Sequence, residues 1–531
     1  MHNQLFFFAF KKKSYFRSYK VINKVLSKEF LTILILLSFV AGFSQTNLDS
    51  TNISLNKEIN GVLLDLDKKT ALPYANIIFL SNKKGTVTNE KGQFLLNIEK
   101  LSKNDTISFQ YIGYETKNLT ISQLDSSAVI FLKENTYNLE EIFVFSNNLK
   151  PESIIKKVLE NKQSNYKTTF GKNQTFIRRR FVSDIDKIDI KFKKSSFSQL
   201  NEKMIDLIER KLPRHSVSYT DFLGNLYFSG IKNDSTQLKI DPIKMVSLKD
   251  KDLADIEQLE SIFENMFADT KEKEYWKVKS GIIGGKVQMN NELDKERRDS
   301  LKSINEREFK TVHYRNSTNH LLKYSSFDNK KDWDFLHHTS RYAFTLVGGT
   351  VVNEEDVYVI DFVPKKSGKF KGRVYIAIKS FALVRADYEY AAGKTGKNIH
   401  LFGVGYSENM FSGSISFEKK NGTYQLKYFS KKEGTGMSVD RNLSLIKKKK
   451  RFLLDKKLNE IKVGFNLNVR EEYSVEMLIL DHKEISNKQF KGFKQKEFIK
   501  MIYVDQFDDQ LWKGYSIIEP TKQMRDYKKM E

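Results

Sequence analysis

The chain has 531 residues, with 90 lysines and arginines against 66 aspartates and glutamates, a formal charge of +24 and no cysteine. The missing cysteine excludes a disulfide framework, a thiolate metal site, a cysteine nucleophile and the lipid-bearing cysteine of a bacterial lipoprotein. Hydrophobic residues at 40% and aromatic residues at 13% supply ample core material, so disorder is not expected and the length is a prior for roughly two to four domains.

Residues 30–43 (FLTILILLSFVAGF) form an apolar run behind Lys11, Lys12, Lys13, Arg17, Lys20, Lys24 and Lys28. A spanning helix needs roughly 20 apolar residues. A shorter core behind a basic segment, ending in small residues such as Gly42 and Ser44, has the pattern of an export signal cleaved before Gln45. Residues 1–44 are therefore expected to be a signal peptide and 45–57 a short linker, with a retained membrane anchor as the alternative. No comparable apolar run follows Gln45, so the mature chain is expected in the periplasm or associated with the outer membrane, without a lipid anchor.

From Glu58 onward, short alternating apolar runs at 61–64, 75–80, 93–98, 106–111 and 129–132 are separated by turn residues at 82–85 and 90–92. Spacing of about ten residues between strands predicts an antiparallel sandwich rather than βαβ units. Gly85 and Gly92 are expected to give the hairpins backbone freedom, and Phe94, Phe109 and Tyr111 to take core or half-buried positions.

Five ordered blocks carry a resemblance. They are Ile59-Asn60-Gly61-Val62, Leu72-Pro73-Tyr74-Ala75-Asn76-Ile77, the stretch from Gly85 to Phe94 (GTVTNEKGQF), Phe109-Gln110-Tyr111-Ile112-Gly113-Tyr114 and Leu139-Glu140-Glu141-Ile142-Phe143-Val144. Together they resemble the carboxypeptidase regulatory-like domain, which implies a transthyretin-like seven-stranded β-sandwich over residues 58–146 and an envelope protein of Gram-negative bacteria. Asn89 stands where the family usually has aspartate, and either side chain can cap that turn. In carboxypeptidases the domain accompanies a separate zinc domain whose ligands begin His-x-x-Glu. None of the 8 histidines here has an acidic residue three positions later, so that catalytic domain is absent from the sequence. The chain is also too short for the plug and barrel of the outer-membrane transporters that often follow this sandwich.

Residues 147–310 read as a mixed helix and strand region. Pro151 opens a helix through Asn161, and further helices are expected at 200–212 and 253–267, with a charged exposed helix or insertion at 290–308. Residues 311–531 read as an antiparallel β-rich region, the pattern turning to β after about Tyr314. Its strands fall at 357–362, 373–378, 382–386, 414–418, 423–429 and 463–469. The stretch 356–387 is similar to the hairpins of periplasmic lipoprotein-carrier half-barrels, which implies a curved sheet. Residues 512–520 resemble a closing segment of envelope proteins that pair the same sandwich with a further region, and are expected to tuck Trp512 and Ile517 into the core. The fold class is mainly β with some α.

Catalytic motifs do not appear. There is no G-x-S-x-G elbow and no H-E-x-x-H helix, and Gly393-Lys394-Thr395-Gly396-Lys397 has Tyr388 where a phosphate loop requires glycine, so it reads as a hairpin tip. His337 and His338, read as a strand beside Asp332 and Asp334, point to opposite faces and cannot share one ion. Arg178, Arg179 and Arg180 read as a strand whose alternate arginines face solvent. The densest basic run, Lys447, Lys448, Lys449, Lys450 and Arg451, reads as a solvated loop or as a contact for an anionic lipid or glycan surface. With the signal and sandwich subtracted, residues 147–531 carry +20.

The expectation is therefore a non-enzymatic exported binding or assembly module at the periplasmic side of the outer membrane. Its partner would be an envelope protein or an anionic surface, with no nucleic acid and no cofactor. One alternative is an apolar-ligand carrier with a cavity lined by Val, Ile and Phe; another is a hydrolase with an acidic pair in a cleft.

Overall fold

The computed structural model describes residues 58–82, 85–99, 101–125, 127–135, 149–166, 170–198, 200–229, 237–249, 273–281, 283–287, 308–352, 355–452, 454–515 and 517–527. The expected signal and linker, the last sandwich block at 139–144, the helix at 253–267 and nearly all of the charged stretch 290–308 lie outside the described residues.

The first unit is the sandwich. Its strands are β1 (Glu58–Asp65), β2 (Asn76–Phe79), β3 (Gly85–Val87), β4 (Gln93–Asn97), β5 (Thr106–Gln110), β6 (Lys117–Thr120) and β7 (Ser127–Leu132). They form a three-stranded sheet ordered β4-β1-β7 and a four-stranded sheet ordered β3-β2-β5-β6. Alternation along the strands directs Ile77, Phe94, Ile107, Phe109 and Ile130 into one core, each nearly or fully buried. Asn89 is buried, and its side-chain oxygen accepts the N–H groups of Lys91 and Gln93 at 2.9 and 3.0 Å, so amide serves as well as carboxylate. Gly92 sits at φ +71°, a turn conformation that favours glycine. Gly85 is required for a different reason than backbone freedom: a Cβ there would lie 2.0 Å from the Ile77 carbonyl oxygen on the paired strand.

The second unit is built on a 14-stranded sheet. Its strands are β8 (Gly171–Ser195), β9 (His215–Phe228), β10 (Leu238–Lys249), β11 (Glu274–Ser280), β12 (Ile283–Val287), β14 (Tyr342–Val352), β15 (Glu355–Pro364), β16 (Phe370–Ala377), β17 (Leu383–Tyr390), β18 (Asn398–Leu401), β19 (Val404–Lys420), β20 (Thr423–Lys449), β21 (Lys456–Glu484) and β23 (Ile502–Val504). The order is β14-β15-β16-β17-β19-β20-β21-β8-β9-β10-β23, with β18 on β19, β11 on β20 and β12 on β11. β13 (Glu308–Lys310) pairs separately with β22 (Phe498–Lys500). The sheet draws strands from both 147–310 and 311–531, and the expected short strands at 423–429 and 463–469 are parts of strands 27 and 29 residues long.

The helices are α1 (Pro151–Glu160), α2 (Lys162–Asn165), α3 (Glu202–Lys211), α4 (Thr311–Tyr324), α5 (Asp334–His337), α6 (Asn487–Gly492) and α7 (Lys522–Arg525). α1 starts at Pro151 as the sequence predicts and buries Ile154, Ile155 and Val158. α4 corrects the expectation of continuous β structure beyond Tyr314. Its buried residues Thr311, Tyr314, Thr318, Leu321 and Tyr324 recur every three or four positions. Many of its residues, including Thr, Asn, His and Tyr, have modest helix propensity, so packing rather than intrinsic preference makes it a helix.

Residue parity assigns the two faces of the sheet. Ile177, Phe222, Met245, Phe429 and Met477 join Trp333, Phe335, Tyr314 and Ile154 in a core under the helices. Their neighbours Phe176, Leu223, Val246, Tyr428 and Leu478 face the other way, against Val87 of the sandwich and the C-terminal residues Trp512, Ile517 and Ile518. Tyr74 stacks on Tyr428 at 4.8 Å, Arg385 lies 4.7 Å over the ring of Tyr111, and Thr350 donates to the Asn135 carbonyl at 2.7 Å. The C-terminal segment closes this seam: the Thr86 hydroxyl donates to the Ile517 carbonyl at 2.7 Å, and Arg178 donates to that of Ile518 at 2.9 Å.

The arginine triplet therefore departs from the sequence expectation. β8 lies inside the sheet with both faces covered here, so its arginines need partners. Arg178 is buried and grips Asp221 through Nε and Nη2 at 2.9 and 2.7 Å. Arg179, on the helix face, stacks 4.4 Å over Tyr314, and Arg180 pairs with Glu472.

Beyond the body, β8, β20 and β21 continue as an arm. One of its faces carries Ile188, Ile190, Leu443, Leu445, Ile461 and Val463 against Ile205 of α3 and Trp276 of β11. The other presents Asp440, Asn442, Asn468 and Arg470 to solvent. The alternation that makes the long strands, as in Val463-Gly464-Phe465-Asn466-Leu467-Asn468-Val469, also makes the arm one-sided.

Candidate binding cleft

Between the helix-covered core and the α3 cluster, the same sheet face is left partly open. A cleft of about 270 Å³ lies there, lined from β8 by Phe181, from β21 by Glu471 and Tyr473, from β20 by Glu433, Thr435 and Met437, and from β19 by Tyr406, Glu408, Met410 and Phe411. Lys331 and Asp332, before α5, with Lys369, Phe370 and Tyr390, complete the wall.

The charged groups are organised around lysines. Lys431, one residue pair up β20 from Glu433, places its ammonium 2.9 Å from Glu433 and 3.4 Å from Asp332, and 5.5 Å from the ring centres of both Tyr324 and Phe411. Lys331 pairs with Glu408 at 3.0 Å, and the Lys397 N–H donates to the same carboxylate at 2.8 Å. Burial pushes the Asp332 carboxyl above its ordinary range, with Lys431 partly offsetting it. Burial alone would lower Lys431, but Glu433 and Asp332 hold its ammonium above the usual value. Glu408 also feels burial, yet the Lys397 N–H and the Lys331 ammonium keep it below the usual carboxylate range.

This arrangement can hold polar and cationic groups by hydrogen bonding while aromatic rings cover their apolar parts. Of the Val, Ile and Phe lining expected of an apolar-ligand carrier, it has the phenylalanines Phe181, Phe370 and Phe411 but no Val or Ile. Asp332 and Glu433 share one ammonium, so each carboxylate already has a counter-charge. Among the described residues, no group of three or more metal-ligating side chains could hold an ion.

The basic run is not brought into the cleft. Lys447, Lys448 and Lys449 are the last residues of β20 rather than a loop, because they continue its pairing with β21 and β11. Lys447 is buried, 3.2 Å from Glu274 and over the Trp276 ring. Lys449, Lys450 and Arg451 are exposed at the end of the hairpin. His337 and His338 close a helix turn instead of a strand: His337 Nε2 lies 2.6 Å from the Phe327 carbonyl and His338 Nδ1 2.8 Å from Asp334. Gly393 to Lys397 connects β17 to β18 as a turn. Tyr111 and Tyr114 serve the sandwich and its seam, Tyr114 donating to Asp65 at 2.6 Å.

Sequence reasoning did not reach Lys431, Glu433, Glu471 or Tyr473. The available signal was parity: Phe429, Lys431, Glu433, Thr435 and Met437 share the face that is apolar on both sides of the charged pair.

Residues 59–144 match the family model of the CarboxypepD_reg-like domain. No curated protein matches the chain. Among solved structures, a LolA superfamily protein from Nitrosomonas europaea is 9% identical, covering 64% of this chain and 97% of its own, at a TM-score of 0.16. MucB in complex with MucA(peri) is 8% identical, covering 60% and 94%, at 0.15. The MucA/MucB complex of Pseudomonas aeruginosa is 6% identical, covering 60% and 93%, at 0.14. Scores of this size do not define a shared fold. Among the described residues no helix is long and apolar enough to cross a membrane.

Proposed function

We propose that this protein is a non-enzymatic binding and assembly module, exported to the periplasmic side of the outer membrane, and that its cleft takes a polypeptide segment of an envelope partner. The observation that carries this reading is the cleft itself. The apolar parts of the sheet face are filled by the chain's own side chains, and the unfilled part combines aromatic walls with lysine-bridged carboxylates. A peptide segment offers the matching mixture of backbone donors, acceptors and side-chain stems. The regulatory-like sandwich supports the envelope setting.

The test is a photo-crosslinking amino acid placed at Met437 in the cleft and, as a control, at Ser438 on the opposite face. The expected result is a discrete protein adduct in intact cells from position 437 alone. Equal labelling from both positions, or peptide or glycan hydrolysis by the purified protein that disappears in Glu433→Gln, would overturn it.

A further inference from the structure

We infer that the end of the β20–β21 hairpin is a membrane-docking tip that inserts Phe452 and Leu454 into the interface of a bilayer bearing anionic headgroups. Pairing continues to Lys449 opposite Lys456, so Lys450, Arg451, Phe452, Leu454 and Asp455 lie beyond the last pair, at the end of the arm. From Tyr428, which stacks on Tyr74 of the sandwich, β20 runs on to Lys449 over a contour of roughly 70 Å at about 3.3 Å per residue.

Phe452 is 101% exposed and Leu454 84%, the two highest values for large apolar side chains among the described residues. The turn that presents them is pinned. The Lys450 N–H donates to the Lys273 carbonyl at 2.7 Å, the Arg451 N–H donates to Asp455 at 3.3 Å, and the Tyr275 hydroxyl donates to the same carboxylate at 2.5 Å. Asp455 is the only acidic residue between Lys447 and Lys457, and its charge is turned inward on these donors.

A collar of cations surrounds this apex. Lys447 is spent on Glu274 and Lys457 pairs with Glu460. Lys448, Lys449, Lys450, Arg451 and Lys456 have no carboxylate within 4.0 Å among the described residues. Lys448 and Lys449 are neighbours on a strand and project to opposite faces, so the charge rings the tip. Apolar side chains at the apex with basic residues just behind them match the layering of a bilayer interface, hydrocarbon below and anionic headgroups above. A polyanion in solution would use the collar and leave the apex idle, which is why the bilayer is the occupant chosen.

The natural absence of cysteine makes the test specific. Leu454→Cys in the full chain is labelled with an environment-sensitive nitrobenzoxadiazole dye, with Ser438→Cys as a control on the arm's polar face. Vesicles of phosphatidylcholine with 30% phosphatidylglycerol are expected to blue-shift the dye at 454 and not at 438. Pure phosphatidylcholine should give no shift, and raising salt from 0.1 to 0.5 M should weaken binding at least tenfold. Lys449→Gln/Lys450→Gln/Arg451→Gln should need at least tenfold more lipid, and Phe452→Ser about tenfold more, with unfolding midpoints unchanged. A dye at 454 that stays unshifted with anionic vesicles overturns the proposal. So does an equal shift with neutral vesicles, or with soluble polyphosphate or an acidic protein in place of vesicles. Because the dye reports only on the tip, failure here leaves the cleft reading to its own crosslinking test.

Discussion

The body of the large sheet and its arm are made by the same strands, yet they are stabilised differently. In the body, β8 and β21 are covered on one face by helices and on the other by the sandwich and the C-terminal segment, so an arginine on β8 must find a buried partner. In the arm, the same two strands keep one face in water, and an arginine there pairs across open solvent, as Arg470 does with Asp186 at 2.6 Å. What distinguishes the halves is what lies above each face, and the energetic weight of one residue type changes accordingly.

The sharpest way to break that comparison is to delete an arginine in each half. Arg178→Ala leaves Asp221 buried without its cation, and is expected to cost about 3–5 kcal/mol, read from chemical unfolding. A cost near zero would mean that the seam is open in solution. Next in size, Ile205→Ala removes the buried anchor of α3 and is expected to cost about 2–3 kcal/mol. Hydrogen exchange should rise in α3 and the distal part of β8 while the body amides stay protected. Uniform acceleration would show that arm and body unfold as one unit.

Glu476 tests the covered side through pH. Burial, reinforced by Glu90 and opposed by Arg178, pushes its carboxyl up to about 7. The folded state then holds a proton that the unfolded chain has already released above its ordinary 4.5. Its contribution to stability is full below about pH 4.5 and is lost as the pH rises through 7. Glu476→Gln is expected to stabilise by about 1–2 kcal/mol at pH 8 and to do nothing at pH 4, with the midpoint difference measured at both. The smallest effect belongs to the arm: Arg470→Ala, a fully solvated pair, should leave the unfolding midpoint where it was.

The sandwich was legible because its determinants are local. Asn89, Gly92 and the alternation 106–111 act within a few residues of themselves. The basic run at 447–451 was also visible, but its place at the end of an arm was not, since that follows from β20 and β21 pairing from Tyr428 opposite Leu478 to Lys449 opposite Lys456. α4 was misread because its Thr and Tyr positions suit a strand by composition and a helix only by contact with the core. The cleft gathers β8, β19, β20, β21 and the turn at 331–332, and no window of sequence contains more than a fragment of it. Lys431 and Glu433 on an otherwise apolar face were its one local trace, easily lost among the chain's 90 basic residues.

The closing contact between Thr86 and Ile517 joins positions 431 residues apart. A chain synthesised from its N-terminus presents its sandwich long before residue 517 arrives, and the sandwich can fold at once on local contacts. The seam cannot be sealed on that schedule. Arg178 and Asp221 must pair and wait, their upper side wet, until the last segment covers them. Completion of the molecule is thereby tied to completion of its synthesis, and a chain stalled short of Trp512 would display an unsealed apolar surface of Phe176, Leu223 and Val246 around the Arg178–Asp221 pair that marks it as unfinished.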